Sequence, residues 1–127
     1  MDAVTHKKPI FIIEDDPFLV KAYQLKFSQE GYEVLTAMDG KEALSFLDRE
    51  PAGVVLLDLM LPGASGFDIL TAMRGNDRWK DVPVIILSNL GQAQDIAHGK
   101  ELGAQDYLVK ANVVMEEVVE RVKKYVG

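Results

Sequence analysis

Five short apolar runs, at 10–13, 34–37, 54–57, 84–87 and 107–109, are separated by longer stretches whose apolar residues recur at helical spacing. The runs have strand length and are mostly continuous rather than alternating, as suits strands covered on both faces. Helical spacing links Phe18, Ala22 and Leu25, then Ala43, Leu44 and Leu47, then Ile69, Leu70 and Met73, and finally Val118, Val122 and Tyr125. A further helix is expected within 92–101, thinly anchored because its stripe is only Ala93, Ile96 and Ala97, with Gly99 interrupting. Strict βα alternation in a short chain predicts a parallel sheet with helices on both faces, joined by right-handed crossovers. The expected fold is a doubly wound α/β sandwich of five strands and five helices.

Boundary residues agree with this reading. Asp39 precedes Glu42 by three residues and Ser65 precedes Asp68 likewise, each resembling a helix N-terminal box. Pro17 suits a first helical position, with Asp16 before it as the cap. The 127 residues, 48% of them apolar, suffice for one domain with its own core, and the expected domain is 1–127 with a frayed start over 1–8. Absence of cysteine fits a reducing, cytoplasmic setting. The apolar runs at 54–57 and 82–87 are too short to cross a bilayer, and a net charge of −6 argues against direct nucleic-acid binding.

In an open α/β sheet, ligands bind beyond the carboxyl ends of the strands. Four of the five strands deliver a reactive side chain to that edge: Glu14, Asp15 and Asp16 after the first, Asp58 after the third, Ser88 after the fourth and Lys110 after the fifth. If the first and third strands are neighbours, the crowded carboxylates need a proton or a cation, and oxygen-only ligands select a hard ion. Mg²⁺ fits better than Ca²⁺, because it tolerates few carboxylates and is completed by water and phosphate oxygens. Asp58 then qualifies as a carboxylate nucleophile toward phosphorus, with Lys110 neutralising charge and the Ser88 hydroxyl donating to a phosphoryl oxygen. Asp16 is assigned mainly to capping, which leaves Glu14 and Asp15 as the metal pair.

Ile12-Ile13-Glu14-Asp15-Asp16, the segment from Leu56 through Asp58 to Gly63 with Ser65-Gly66, Ser88, and Leu102-Gly103-Ala104 through Asp106-Tyr107-Leu108-Val109-Lys110 together resemble the receiver domains of bacterial two-component response regulators. The resemblance covers essentially the whole chain. It implies a flavodoxin-like strand order 2-1-3-4-5, Asp58 as phosphoacceptor, Asp15 bound directly to Mg²⁺, Glu14 acting mainly through water, and the Met60 carbonyl completing the protein's share of the metal ligands. Ser88 and Tyr107 occupy the family's switch positions. By the same resemblance, a histidine kinase or phosphotransfer protein supplies the phosphoryl group, and the face formed by helix 4, strand 5 and helix 5 carries the change to a downstream protein. The chain is then a monomer or a phosphorylation-dependent dimer.

Two residues depart from the family pattern. Ala111 stands where proline usually follows the lysine, so a trans peptide is expected there. Asn89 stands where a small residue is usual and would narrow access to Asp58. By the same resemblance, Met60 and Leu90, both apolar here, flank the open side of the phosphoryl group, which predicts a long-lived phosphorylated form. Trp79 is expected to pack partly against the sheet edge, and His6 and His98 form no recognisable site.

Other functions fit less well. A flavin carrier would need phosphate-binding donors where Glu14-Asp15-Asp16 stand, and an aspartate-based phosphatase would want an acid where Met60 stands. A degenerate receiver acting only as an interaction module is the remaining alternative.

Overall fold

Val, Ile, Leu and Phe fill the predicted strand positions, and their side chains alternate between two faces that are both covered. The computed structural model describes residues 8–126. It contains β1 (Ile10–Ile13), α1 (Pro17–Gln29), β2 (Val34–Ala37), α2 (Gly40–Ser45), β3 (Val54–Leu57), α3 (Gly66–Arg74), β4 (Val84–Ser88), α4 (Ala93–Glu101), β5 (Asp106–Val109) and α5 (Met115–Val126). Short 3₁₀ turns at Phe46–Asp48 and Lys110–Asn112 follow α2 and β5. The strands form one parallel sheet in the order β2-β1-β3-β4-β5, with Ile13 paired to Leu57 and Ser88 to Val109. The expected fold class is therefore observed. The expectations for His6 and for most of the frayed start lie outside the described residues.

Two cores flank the sheet. Phe11, Ile13, Val55, Leu57, Val84 and Ile86 face α2 and α3, while Ile10, Ile12, Val54, Leu56, Ile85 and Leu87 face α1 and α5. Asp16 caps α1 by accepting from the Phe18 and Leu19 amides at 3.0 and 3.4 Å, and Pro17 takes the first helical position. Asp39 and Ser65 cap α2 and α3 through the Glu42 and Asp68 amides.

Several expectations are corrected. The buried stripe of α1 is Val20, Tyr23 and Phe27, whereas Phe18 is 86% and Leu25 62% exposed. The helix carries two apolar stripes, and the one with two aromatics buries more area. Helix α2 ends early: Leu44 is exposed and Phe46, in the following turn, is buried against Phe11. Trp79 is fully buried, edge-on to Phe11, with its indole N–H donating to the Arg49 carbonyl. In α4, Ala93 and Ala97 are exposed and Ile96 half-buried; Gly99, rather than interrupting the helix, is its one buried residue.

Opposite the carboxyl edge, Arg74 at the end of α3 joins three segments. Its guanidinium donates to the Lys80 and Val82 carbonyls at 3.1 and 2.9 Å, and to the Gly103 carbonyl and Gln105 Oε1 at 2.7 and 3.2 Å. Gln105 Oε1 also accepts from the Val84 amide at 2.7 Å, so the starts of β4 and β5 are held together there.

Candidate functional site

Adjacent pairing of β1 with β3 brings the residues after Ile13 and Leu57 side by side at the carboxyl edge. Glu14 and Asp58 are buried, Asp15 is exposed, and one carboxylate oxygen from each lies within 4.8 Å of the others. Lys110, delivered by the end of β5, bridges the two buried acids: its Nζ lies 2.8 Å from Glu14 Oε1 and 3.0 Å from Asp58 Oδ2. The remaining oxygens accept backbone bonds, Glu14 Oε2 from the Asp16 amide at 3.1 Å and Asp58 Oδ1 from the Met60 amide at 3.2 Å. The geometry thus unites Glu14, Asp15, Asp58 and Lys110, and leaves Asp16 at its cap. Met60 is 55% exposed beside them.

Two carboxylates share one ammonium, and the balance shows in the titration of Glu14 and Lys110. Burial pushes the Glu14 carboxyl above its ordinary value; the Lys110 hydrogen bond opposes this and the Asp58 charge adds to it. Burial alone would lower the Lys110 ammonium, but hydrogen bonds and charge from Glu14 and Asp58 outweigh it and push the group up. A hard cation fits this donor set: three carboxylates converge with one partner cation among them, and the exposed Asp15 faces solvent from which the ion would arrive.

The backbone of the site depends on a close approach that only glycine permits. A Cβ at Gly66 would lie 2.4 Å from the Asp58 carbonyl oxygen and 2.6 Å from Leu59 Cα, so the start of α3 rests directly on the chain leaving Asp58. The Gly66 amide donates to the Leu59 carbonyl at 3.0 Å.

Ser88 is fully buried at the end of β4, and its Oγ accepts from the Leu90 amide at 3.3 Å. The Tyr107 hydroxyl donates to the Leu90 carbonyl, so the two residues at the expected switch positions meet at the main chain of one residue, Leu90. Sequence reasoning placed Leu90 only as a shield, because a main-chain link of this kind has no side-chain signature. The peptide after Lys110 is trans, as Ala111 led us to expect. Tyr23, on α1, is a neighbour that sequence reasoning missed: it is buried, and after burial itself the charge of Glu14 is the next cause raising its phenol. Its spacing with Phe27 was the signal available.

The chain matches a family model described as "Response regulator receiver domain" over residues 10–123. A relative from Synechocystis sp., the DNA-binding dual master transcriptional regulator RpaA, is 38% identical over 114 residues, covering 90% of this chain and 47% of that protein. The chain accordingly spans less than half the length of the curated relatives it matches. Among solved structures, the Francisella response regulator 1452 receiver domain is similar at a TM-score of 0.84 and 29% identity, covering 94% of this chain and 96% of that one. The BeF3-activated DrrB receiver domain aligns at a TM-score of 0.81 and 31% identity, covering 93% and 96%.

Proposed function

Because this chain belongs to the response regulator receiver domain family, we propose that it is the phosphoacceptor switch of a two-component phosphorelay, with Asp58 as the acceptor. The observation that carries this reading is the placement of Asp58: a buried carboxylate with one oxygen on Lys110 and the other on the Met60 amide, beside Glu14 and Asp15. The alternative of a degenerate interaction module has no observation in its favour.

Glu14, Asp15, Asp58 and the Met60 carbonyl would hold Mg²⁺. When bound, Mg²⁺ supplies neutralisation of charge on the phosphoryl oxygens. An Asp58 oxygen attacks phosphorus; the bond from phosphorus to the donor breaks, to an imidazole nitrogen of a histidine kinase or phosphotransfer protein or to a carboxylate oxygen of a small acyl phosphate. The product is an aspartyl phosphate. Lys110, already on Asp58, stays with the added negative charge, and the Ser88 hydroxyl turns from its bond with Leu90 to donate to a phosphoryl oxygen. Tyr107 and the face of α4, β5 and α5 carry the change to a protein partner. The whole chain serves as one receiver unit in the cytoplasm, a monomer or a dimer formed on phosphorylation. The DNA-binding role named for RpaA is that protein's; for this chain's own acidic residues we propose no nucleic-acid contact.

Intact mass after incubation with Mg²⁺ and a small acyl phosphate tests the reading. One added phosphoryl group is expected, lost without Mg²⁺ and in Asp58→Asn. Undiminished labelling of that variant would place the acceptor elsewhere. The modified form is expected to be long-lived, since apolar Met60 and Leu90 cannot orient a hydrolytic water, and Met60→Asn or Leu90→Glu should shorten its lifetime.

A further inference from the structure

Besides the half-buried Ile96, helix α4 meets the sheet through a residue that has no side chain. Gly99 is its one buried position, and a Cβ there would lie 2.7 Å from Ile86 Cδ1 and 3.1 and 3.2 Å from Cδ2 and Cε2 of Tyr107. Glycine is the poorest helix former after proline, and Gly99 does not have the positive φ that would call for it, unlike Gly31, Gly63 and Gly103. The close approach to Ile86 and Tyr107 is therefore its physical reason.

What Gly99 touches is the ring that reaches the phosphoryl pole. The Tyr107 hydroxyl donates to the Leu90 carbonyl, and the Leu90 amide donates to Ser88 Oγ. A continuous line of contacts thus runs from the α4 backbone, through the ring and the Leu90 main chain, to the buried Ser88 hydroxyl at the carboxyl end of β4. The same helix brings Asp95, four residues before Gly99, near enough that its charge is second only to burial in raising the Tyr107 phenol. On its other side α4 leans on α3 through His98 and Phe67, whose ring centroids are 4.5 Å apart.

We propose that Gly99 is a positioning residue: by letting α4 lie directly on Tyr107, it holds the tyrosine hydroxyl on Leu90, so that the seating of α4 and the placement of Ser88 are a single variable. This deepens the phosphoryl-switch reading and rests on it only for its consequence in signalling. A methyl at position 99 forces one neighbour to give. Ile86 is fully buried on the inner strand β4, whereas Tyr107 lies on the edge strand β5 and is slightly exposed. Tyr107 is therefore the side that yields, leaving Leu90 and unseating α4 without any phosphoryl group.

The test compares Gly99→Ala, Ile86→Val and the double variant, with ring-labelled tyrosine and hydrogen exchange read together. Tyr107→Phe assigns the Tyr107 signal among the four tyrosines. In Gly99→Ala the Tyr107 signal is expected to move, and exchange over 90–102 to quicken by about tenfold or more while β1 and β3 stay protected. Ile86→Val removes the atom that the new methyl meets first, so the double variant should return the Tyr107 signal and the protection to their original values. An unmoved Tyr107 signal in Gly99→Ala overturns the proposal, as does a loss of protection spread evenly over the sheet or one that Ile86→Val does not reverse. If Gly99→Ala does not fold, a folded double variant with the original Tyr107 signal supports the seat, and failure of both to fold overturns it. Phosphoryl uptake by the unaltered protein is measured in parallel. Its failure would sink the phosphoacceptor reading, while the tyrosine and exchange results would still decide the role of Gly99.

Discussion

Lys110 stands between two buried carboxylates, and its neighbours divide the remaining work by exposure. Asp15 is exposed and converges with Glu14 and Asp58, while Asp16 is occupied by the first amides of α1. Asp15→Asn is therefore expected to weaken Mg²⁺ binding more than Asp16→Asn, and Asp16→Asn to cost little stability, because Asn caps about as well as Asp. Metal titrations in the reverse order would mean that the acidic cluster is differently divided. Tyr23 gives a pH signature: burial, then the charges of Glu14 and Glu116, push its phenol up to about 12 from an ordinary 10.0. The folded protein keeps this proton where the unfolded chain has released it, so the stabilisation is full below about pH 10 and declines as pH rises toward 12. Lys110, also pushed up, loses its contribution in the same direction. Denaturant titrations across this alkaline range should show a shallower fall in Tyr23→Phe, with the part due to Lys110 left in place.

At the level of elements, stability is expected to follow the observed stripe of α1 and not the one read from spacing alone. Phe27→Ala and Trp79→Ala should each cost about 3–5 kcal/mol, whereas Phe18→Ser and Leu25→Gln should stay within about 0.5 kcal/mol, all measured by urea unfolding. Strands were legible because continuous apolar runs have one interpretation in a βα alternation, and Ile10–Ile13, Val34–Ala37 and Val54–Leu57 end where the sequence reading put them. Asp58, Ser88 and Lys110 were legible because each directly follows or closes a strand at one edge. Which side of α1 faces the sheet was not legible, since Phe18 with Leu25 and Tyr23 with Phe27 both satisfy helical spacing. The roles of Gly66 and Gly99 were hidden for a related reason: the atoms that require them come from Leu59, Ile86 and Tyr107, distant along the chain or silent in its pattern.

Across the whole molecule, the two edges of the sheet are built from different materials. The carboxyl edge is closed by ionised groups and by loops resting on one another, while the amino edge of β4 and β5 is tied by the Arg74 guanidinium to three carbonyls and Gln105. Arg74→Met should cost about 2–3 kcal/mol, because it strands several carbonyl acceptors at once, and it should leave phosphoryl uptake by the folded fraction intact; calorimetry and intact mass would check the two halves. Mechanically, β4 and β5 then resemble a cantilever, clamped at the root by a fixed fork of donors, with Ser88 and Leu90 at the tip and Tyr107, seated nearer the root, reaching that tip through its hydroxyl. A small force at such a tip is not dissipated by sliding of the strands. It is delivered sideways, to whatever rests on the beam near its free end.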